Sequence, residues 1–153
     1  MDIETFIFND ALGSRCDYQL AGGALAADHD IKTAVLISLF SDRRAEADDP
    51  LPDAAGSRRG WWGDALTGRR LGSRLWLLSR EKQLREVVNR AREYAEEALA
   101  WLVEEGVARR VRVSAEILQP GWIALTVLVE RNGTAPARYR YEFAWAGAPA
   151  VRN

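Results

Sequence analysis

The chain has 153 residues, of which 48% are hydrophobic and 28% are charged, and its formal net charge is −1. This length and composition fit one domain with a hydrophobic core, or one domain with an extended arm. A near-neutral charge provides no overall field that would attract a nucleic acid or an anionic membrane. We therefore expect a protein with neither a nucleic acid nor a membrane as its partner.

Cysteine and histidine each occur once, as Cys16 and His29. An intramolecular disulfide is excluded, and so is a zinc site with several cysteine or histidine ligands. A Ser-His-Asp triad would have to use His29, and no G-x-S-x-G motif surrounds any serine. We interpret His29, which lies between Asp28 and Asp30, as a helix-entry residue and predict no metal site and no cofactor.

The sequence predicts neither a secretory signal nor a membrane span. Its first ten residues, MDIETFIFND, lack a basic segment followed by a long apolar one. The longest apolar run, residues 34–40, is interrupted by Ser38, and a bilayer requires roughly 20 apolar residues. We expect synthesis in a cytoplasm.

The first predicted segment, residues 1–27, is an arm of irregular structure or short strands, because turn signals separate its short apolar pieces. A helix follows over residues 31–40, and Asp28 or Asp30 can cap it. The all-round apolar character of this segment also allows a buried strand, but we predict the helix. Residues 41–74 contain two prolines and five glycines and therefore predict a long ordered loop.

A long amphipathic helix is predicted over residues 79–105, with Ser79 as its cap and Gly106 at its end. Apolar residues recur every 3.6 positions and share one stripe, which we expect to face the core. The stripe consists of Leu84, Val87, Val88, Ala91, Ala95, Ala98, Leu99 and Leu102.

Three strands are predicted after the long helix. Apolar and polar residues alternate over residues 111–117 and 139–145, whereas residues 122–131 are apolar enough to form a central strand. Asn132-Gly133 favours a hairpin turn. The predicted fold class is α+β: a long amphipathic helix packed on a C-terminal three-stranded antiparallel meander, with a shorter N-terminal helix and a long loop.

The motif RRGWWGD, residues 58–64, admits three interpretations. Arg58 and Arg59 with Trp61 and Trp62 have the ingredients for binding single-stranded nucleic acid, although nearby aspartates weaken that interpretation. The same residue types are enriched at protein interfaces. The tryptophans can also fold the loop back onto the core, and one of them can do so while its neighbour faces a partner.

Clusters of carboxylates make a glycosidase an alternative, since paired acids hydrolyse glycosides when one of them has a raised pKa. The acids concerned are Asp48, Asp49, Asp53, Glu104 and Glu105. Adjacent exposed acids seldom have such different environments, so we interpret residues 48–53 as a solvated, proline-stiffened loop. No phosphate-binding or dinucleotide-binding glycine motif is present.

The segments TAVLISLFSDRRAEADDPLPD, RRGWWGD and GSRLWLL, with a following helix that ends in EALAWL, resemble the GP46 family of Mu-type phage tail proteins. The resemblance extends over residues 20–112, and RRGWWGD is its most specific part. The GP46 family is distantly similar to the gp25-like group of sheath-initiating wedge proteins. The order of helix, arginine-bearing loop, helix and strands is similar in that group.

The resemblance implies an arm over residues 1–27, a single α+β gp25-like domain over residues 28–147 and a tail over residues 148–153. It implies a structural, non-catalytic wedge subunit of a contractile phage tail baseplate, present in several copies in the virion after production in the bacterial host cytoplasm. Its partners would be other baseplate wedge and tail sheath proteins, with no small-molecule substrate. The alternatives are a cell-wall glycosidase and a protein-interaction regulator in the host cytoplasm. The predicted partner interface comprises Arg58, Arg59, Trp61, Trp62, Asp64, Tyr139 and Tyr141.

Overall fold

A computed structural model describes residues 31–54, 56–82 and 84–144 in full and the backbone of short strands before them. The strands form antiparallel pairs: β1 with β6, β2 with β3, and β4 with β5. Their bounds are Asp2–Ile3 (β1), Thr5–Asp10 (β2), Gly13–Tyr18 (β3), Leu20–Ala21 (β4), Ala24–Leu25 (β5) and Ala27–Asp28 (β6). His29, the predicted helix-entry residue, lies outside the described residues.

The first helix, α1, comprises Lys32–Phe40 and confirms the helical prediction. Its N-cap position is Ile31, whose side chain makes no capping hydrogen bond, and the predicted capping residue Asp30 and the side chain of Asp28 lie outside the described residues. Burial of Leu36 and Leu39 accounts for the apolar character of the segment. Tertiary packing stabilises this short helix.

Residues 41–74 form the predicted loop, which includes one helical turn, α2 (Asp64–Thr67). A 3₁₀ turn over Leu75–Leu78 then enters the core. Two main-chain hydrogen bonds close the loop at its base: the N–H of Ser73 donates to the carbonyl of Ser41 at 2.9 Å, and the N–H of Arg43 donates to the carbonyl of Ser73 at 3.0 Å. The loop is therefore a closed, ordered unit.

The long helix begins later than predicted and is divided in two. Its main part, α3, comprises Arg85–Leu99, and a short helix, α4, follows Ala100 over Trp101–Glu104. The N-cap of α3 is Leu84, whose backbone is extended (ψ 154°), so the predicted cap by Ser79 is wrong. Ser79 instead ends the 3₁₀ turn, because burial of that turn outweighs the local capping preference.

An antiparallel sheet of three strands follows, with the order β7-β8-β9. The strands are β7 (Arg110–Gln119), β8 (Trp122–Glu130) and β9 (Ala137–Ala144). The central position of β8 confirms the meander, and its near-continuous burial explains why its sequence lacks strict alternation.

One face of this sheet packs against α1 and α3, which confirms the α+β fold class. Most of the predicted stripe of α3 is buried, but Leu84 is exposed because it precedes the helix. The main core cluster consists of Val35, Leu36, Leu39, Ala95, Leu99, Leu102, Ala108, Val113, Leu125, Val127, Val129 and Tyr141. Among the described residues, no helix is long and apolar enough to span a membrane.

Candidate partner-contact surface

Arg74 fastens the loop of residues 41–74 to α3. Its guanidinium lies 3.0 Å from a Glu97 carboxylate oxygen, 3.1 Å from one of Asp49, and 4.4 Å from the centroid of the Tyr94 ring. Burial alone would lower the pKa of Arg74, but hydrogen bonds to Glu97 and Asp49 outweigh burial and raise that pKa above its usual value. Arg74 therefore remains a charged clamp between loop and helix.

Arg58, a predicted contact residue, makes its hydrogen bonds within the loop. Its guanidinium donates to the main-chain carbonyl of Glu46 and, at 3.0 Å, to that of Ala47. Its own carbonyl accepts the N–H of Ala45 at 2.9 Å. These bonds hold the acidic, proline-containing part of the loop against the segment that leads to the tryptophans.

Arg59 is the neighbouring predicted contact residue and is also engaged within the loop. Its guanidinium lies 2.7 Å from the carboxylate of Asp42 and 4.4 Å from the centroid of the Trp76 ring. Trp76 is buried, and its indole N–H donates to the carbonyl of Arg43 at 2.8 Å. Trp76 is thus the tryptophan that anchors the loop to the core.

Trp61 and Trp62 form the exposed tip of the loop. Their ring centroids are 5.4 Å apart and their planes are inclined by 48°. The exposed fraction is 43% for Trp61 and 77% for Trp62. The ring of Trp61 covers Gly63, where an added Cβ would lie 2.2 Å from a ring carbon. The two tryptophans therefore differ: Trp61 packs onto its own loop, and Trp62 faces outward.

The turn of α2 carries a further exposed apolar side chain, Leu66, with an exposed fraction of 79%. Asp64, at the start of this turn, accepts the main-chain N–H of Leu71 at 3.0 Å and is a structural residue of the loop. The sequence interpretation missed Leu66. Its spacing of four residues from Trp62, across a helical turn, was the available signal.

The predicted contact residues Tyr139 and Tyr141 point towards the core. Tyr141 is buried, with its ring 5.6 Å from that of Phe40 in an edge-on arrangement, and Tyr139 is half-buried against the same cluster. The alternation that singled them out is real, but their side of β9 is the helix-covered one. Trp145, the last residue of that pattern, lies outside the described residues.

The acids considered for glycosidase chemistry lie in two places, in the loop and at the end of α4. Asp49 binds Arg74 and also accepts the N–H of Glu46 at 2.8 Å. Glu105 binds Arg69. Within the described residues, no group of three or more histidine, cysteine or acidic side chains is arranged to hold a metal ion.

The loop with its Trp-Trp-Gly tip lies in the part of the chain that has known relatives. The family described as phage protein GP46 matches residues 31–135. The chain belongs to this family. The match runs from α1 through β8, further along the chain than residue 112, where the predicted resemblance ends.

Two GP46 relatives show how far the similarity extends. The baseplate protein gp46 of Escherichia phage Mu is 44% identical over 133 residues, which is 87% of this chain and 92% of that protein. The Mu-like prophage FluMu protein gp46 of Haemophilus influenzae is 42% identical over 114 residues, or 74% of this chain and 77% of that protein. The loop is thus part of a family-wide segment.

In this member of the GP46 family, the predicted interface residues have different structural roles. Arg58, Asp64 and Tyr141 are held by contacts within the chain. Trp62 is the most exposed of the predicted residues, and Leu66 extends its apolar surface. The most exposed apolar side chains of the loop are therefore those of Trp62 and Leu66.

Proposed function

We propose that this GP46 protein is a structural subunit of a contractile phage tail baseplate and that it acts by holding neighbouring tail proteins together. The main support is an exposed Trp62, carried by an ordered loop, in a chain 44% identical over 87% of its length to a protein named as a baseplate protein. Large aromatic side chains that fill a partner's pocket dominate many protein interfaces. The protein would reside in the virion, in several copies.

The finer proposal is a wedge subunit that helps to start the tail sheath. Its partners would be other wedge proteins and the sheath, and it would contact them at two places. One contact is the loop tip at Trp61 and Trp62. The other is strand addition along β9, which uses main-chain hydrogen bonds and so does not need the side chains of Tyr139 and Tyr141 to face outward. In the sheet β7-β8-β9, β9 is an outer strand.

We further propose that the role is non-catalytic. Support comes from the use of the candidate acids in the fold: Asp49 clamps Arg74, and Glu105 binds Arg69, whose guanidinium lies 4.8 Å from the Trp101 ring centroid. Both carboxylates thus connect the loop to the helices, and this structural role accounts for them without a catalytic one.

Deletion of Trp61, Trp62 and Gly63 tests the structural role. The expected result is a folded, soluble protein that is absent from purified tail particles, as measured by circular dichroism and by mass spectrometry of the particles. Tails that contain the deletion variant at the normal level would contradict the loop contact. A muramidase assay on the unaltered protein tests the alternative: cell-wall clearing that Glu105→Gln abolishes would replace the structural proposal with the glycosidase.

A further inference from the structure

Trp62 and Leu66 are the most exposed large apolar side chains among the described residues, with exposed fractions of 77% and 79%. A turn at the tip of the loop is closed by the N–H of Asp64, which donates to the carbonyl of Trp61. This turn leads directly into α2, where the N–H groups of Leu66 and Thr67 donate to the carbonyl of Gly63. Trp62 precedes α2 and Leu66 lies within it, so the two exposed side chains are the apolar surface of the tip.

The loop holds this surface in a fixed position. Gly63 is buried beneath the Trp61 ring, and an added Cβ at Gly60 would lie 2.7 Å from Cβ of Arg44. The Asp64 carboxylate fixes the exit of the turn through the Leu71 N–H at 3.0 Å. A contact group that is already ordered loses less conformational entropy on binding.

The loop that carries this surface also has two arginines without a carboxylate partner. In the described part of the chain, the guanidinium of Arg44 hydrogen-bonds only to the carbonyl of Arg59, at 3.4 Å, and that of Arg58 only to the carbonyls of Glu46 and Ala47. Their charges are therefore not neutralised by ion pairs. Arg44 is exposed and adjoins Gly60, two residues before Trp62.

We propose that Trp62 and Leu66 insert together into an apolar cleft of a neighbouring tail protein, and that Arg44 meets a carboxylate at the edge of that cleft. This inference rests on the proposed baseplate function and names the chemistry of the partner. A protein cleft fits better than a nucleic acid, because one of the two rings, Trp61, already covers Gly63 and the planes are inclined by 48°. Successive bases stack on aromatic faces that are open to them.

A competition experiment measures the contribution of the apolar pair. Wild-type protein and the Trp62→Ala/Leu66→Ala variant are produced together in equal amounts during phage growth, and their ratio in purified tails is determined by mass spectrometry. We expect depletion of the variant by at least about tenfold, the loss typical of a central anchor. Leu118→Ala is the matched control, since Leu118 is an exposed leucine at the far end of β7 and should enter tails at a ratio near one.

Charge at the edge of the cleft is tested by Arg44→Glu and Arg44→Lys in the same competition. We expect Arg44→Glu to be depleted by about two- to fivefold, as for a partly exposed ion pair, and Arg44→Lys to enter tails as the wild type does. Urea unfolding of each purified variant should match that of the wild type, because these side chains are exposed.

Photo-crosslinking identifies the chemistry of the partner directly. Leu66 is replaced by p-benzoylphenylalanine, intact tails are irradiated, and the linked peptide is sequenced. The expected peptide belongs to another tail protein and contains apolar residues beside Asp or Glu. A link to nucleic acid, to a second copy of this chain or to a basic peptide would overturn the proposal, as would equal entry of the double variant. If even the wild-type protein is absent from tails, the baseplate function itself is wrong.

Discussion

The helix–sheet core and the loop of residues 41–74 are both ordered, but they are ordered by different interactions. In the core, Leu99, Leu125 and Val127 are completely buried among other apolar side chains. In the loop, arginines bind carboxylates and main-chain carbonyls, and Trp76 supplies the buried anchor. The loop adds only a small apolar cluster, in which Ala45 and the partly buried Leu51 pack with Trp76 and Leu77. Arginines with several donors each hold the rest of it.

The difference matters for function because the loop presents its apolar tip instead of burying it. The core uses its large apolar side chains for stability, whereas Trp62 and Leu66 contribute little to the stability of the free chain and are available to a partner. Variants in the two regions should therefore separate stability from assembly. The loss of stability should be largest for a fully buried core side chain and smallest for an exposed ion pair.

Leu125→Ala in β8 removes a fully buried side chain between α3 and the sheet. We expect the free energy of unfolding to fall by about 2 to 5 kcal/mol, because transfer energy is lost and a cavity remains. Urea unfolding followed by circular dichroism measures this change. Leu118→Ala, at an exposed leucine on β7, is the control and should change stability by about 0.5 kcal/mol or less. If both variants lost the same free energy of unfolding, Leu125 would not be a core residue.

Gly72→Ala breaks the base of the loop. Gly72 has φ +95°, and an added Cβ would lie 2.3 Å from the carbonyl oxygen of Ser41, whose backbone pairs with Ser73. We expect a loss of roughly 2 to 3 kcal/mol, since a disfavoured backbone conformation and a main-chain clash add together. Gly68→Ala is the control: φ is +67° there, but no atom lies within 4 Å of the added Cβ.

Urea unfolding and the protease sensitivity of the loop measure the effects of the Gly72→Ala and Gly68→Ala substitutions. Gly72→Ala should open the loop to cleavage while the helix–sheet core still unfolds cooperatively. Gly68→Ala should cost only about 1 kcal/mol, the backbone contribution alone. Equal behaviour of the two glycine variants would mean that the contact between Gly72 and Ser41 does not constrain the loop.

The regular part of the fold could be predicted from the sequence because its signals are local. The 3.6-residue period placed Ala95 and Leu99 on the buried stripe, and the apolar run after Trp122 identified the central strand. The start of α3 could not be predicted, because burial of Leu77 and Leu78 in the 3₁₀ turn decides it and capping rules do not describe burial.

The contact surface was only partly predictable, for a related reason. The motif identified Trp62, but the roles of Arg58 and Asp64 depend on acceptors and donors that lie twelve and seven residues away in the chain. Such contacts leave no periodic signal. Tyr139 and Tyr141 were included because their strand was a candidate for pairing with a partner by strand addition. Alternation shows that two residues share a face of a strand, not which face is covered, and Tyr141 is buried.

Arg74→Met tests the interaction that distinguishes the loop from the core. The methionine keeps much of the apolar stem but removes the ion-pair partner of Asp49 and leaves Glu97 with Arg43, whose guanidinium lies 4.0 Å from a Glu97 carboxylate oxygen. We expect a loss of about 1 to 3 kcal/mol, intermediate between exposed and buried ion pairs, because the Arg74 side chain is 19% exposed. Arg92→Met, which removes an exposed pair with Glu96 on α3, is the control and should cost about 0.5 kcal/mol or less.

Salt sharpens this last comparison, since it screens charges and leaves apolar contacts intact. Raising the salt concentration should increase loop cleavage in the wild type and bring it towards that of Arg74→Met, in which the main charge clamp is already missing. Cleavage within the helix–sheet core should not respond in this way. Two outcomes together would contradict this: a wild-type loop that resists the protease equally at high and low salt, and an Arg74→Met loop no more sensitive than that of Arg92→Met. Burial of Trp76, and not the arginines, would then order the loop. Apolar burial would in that case stabilise both regions.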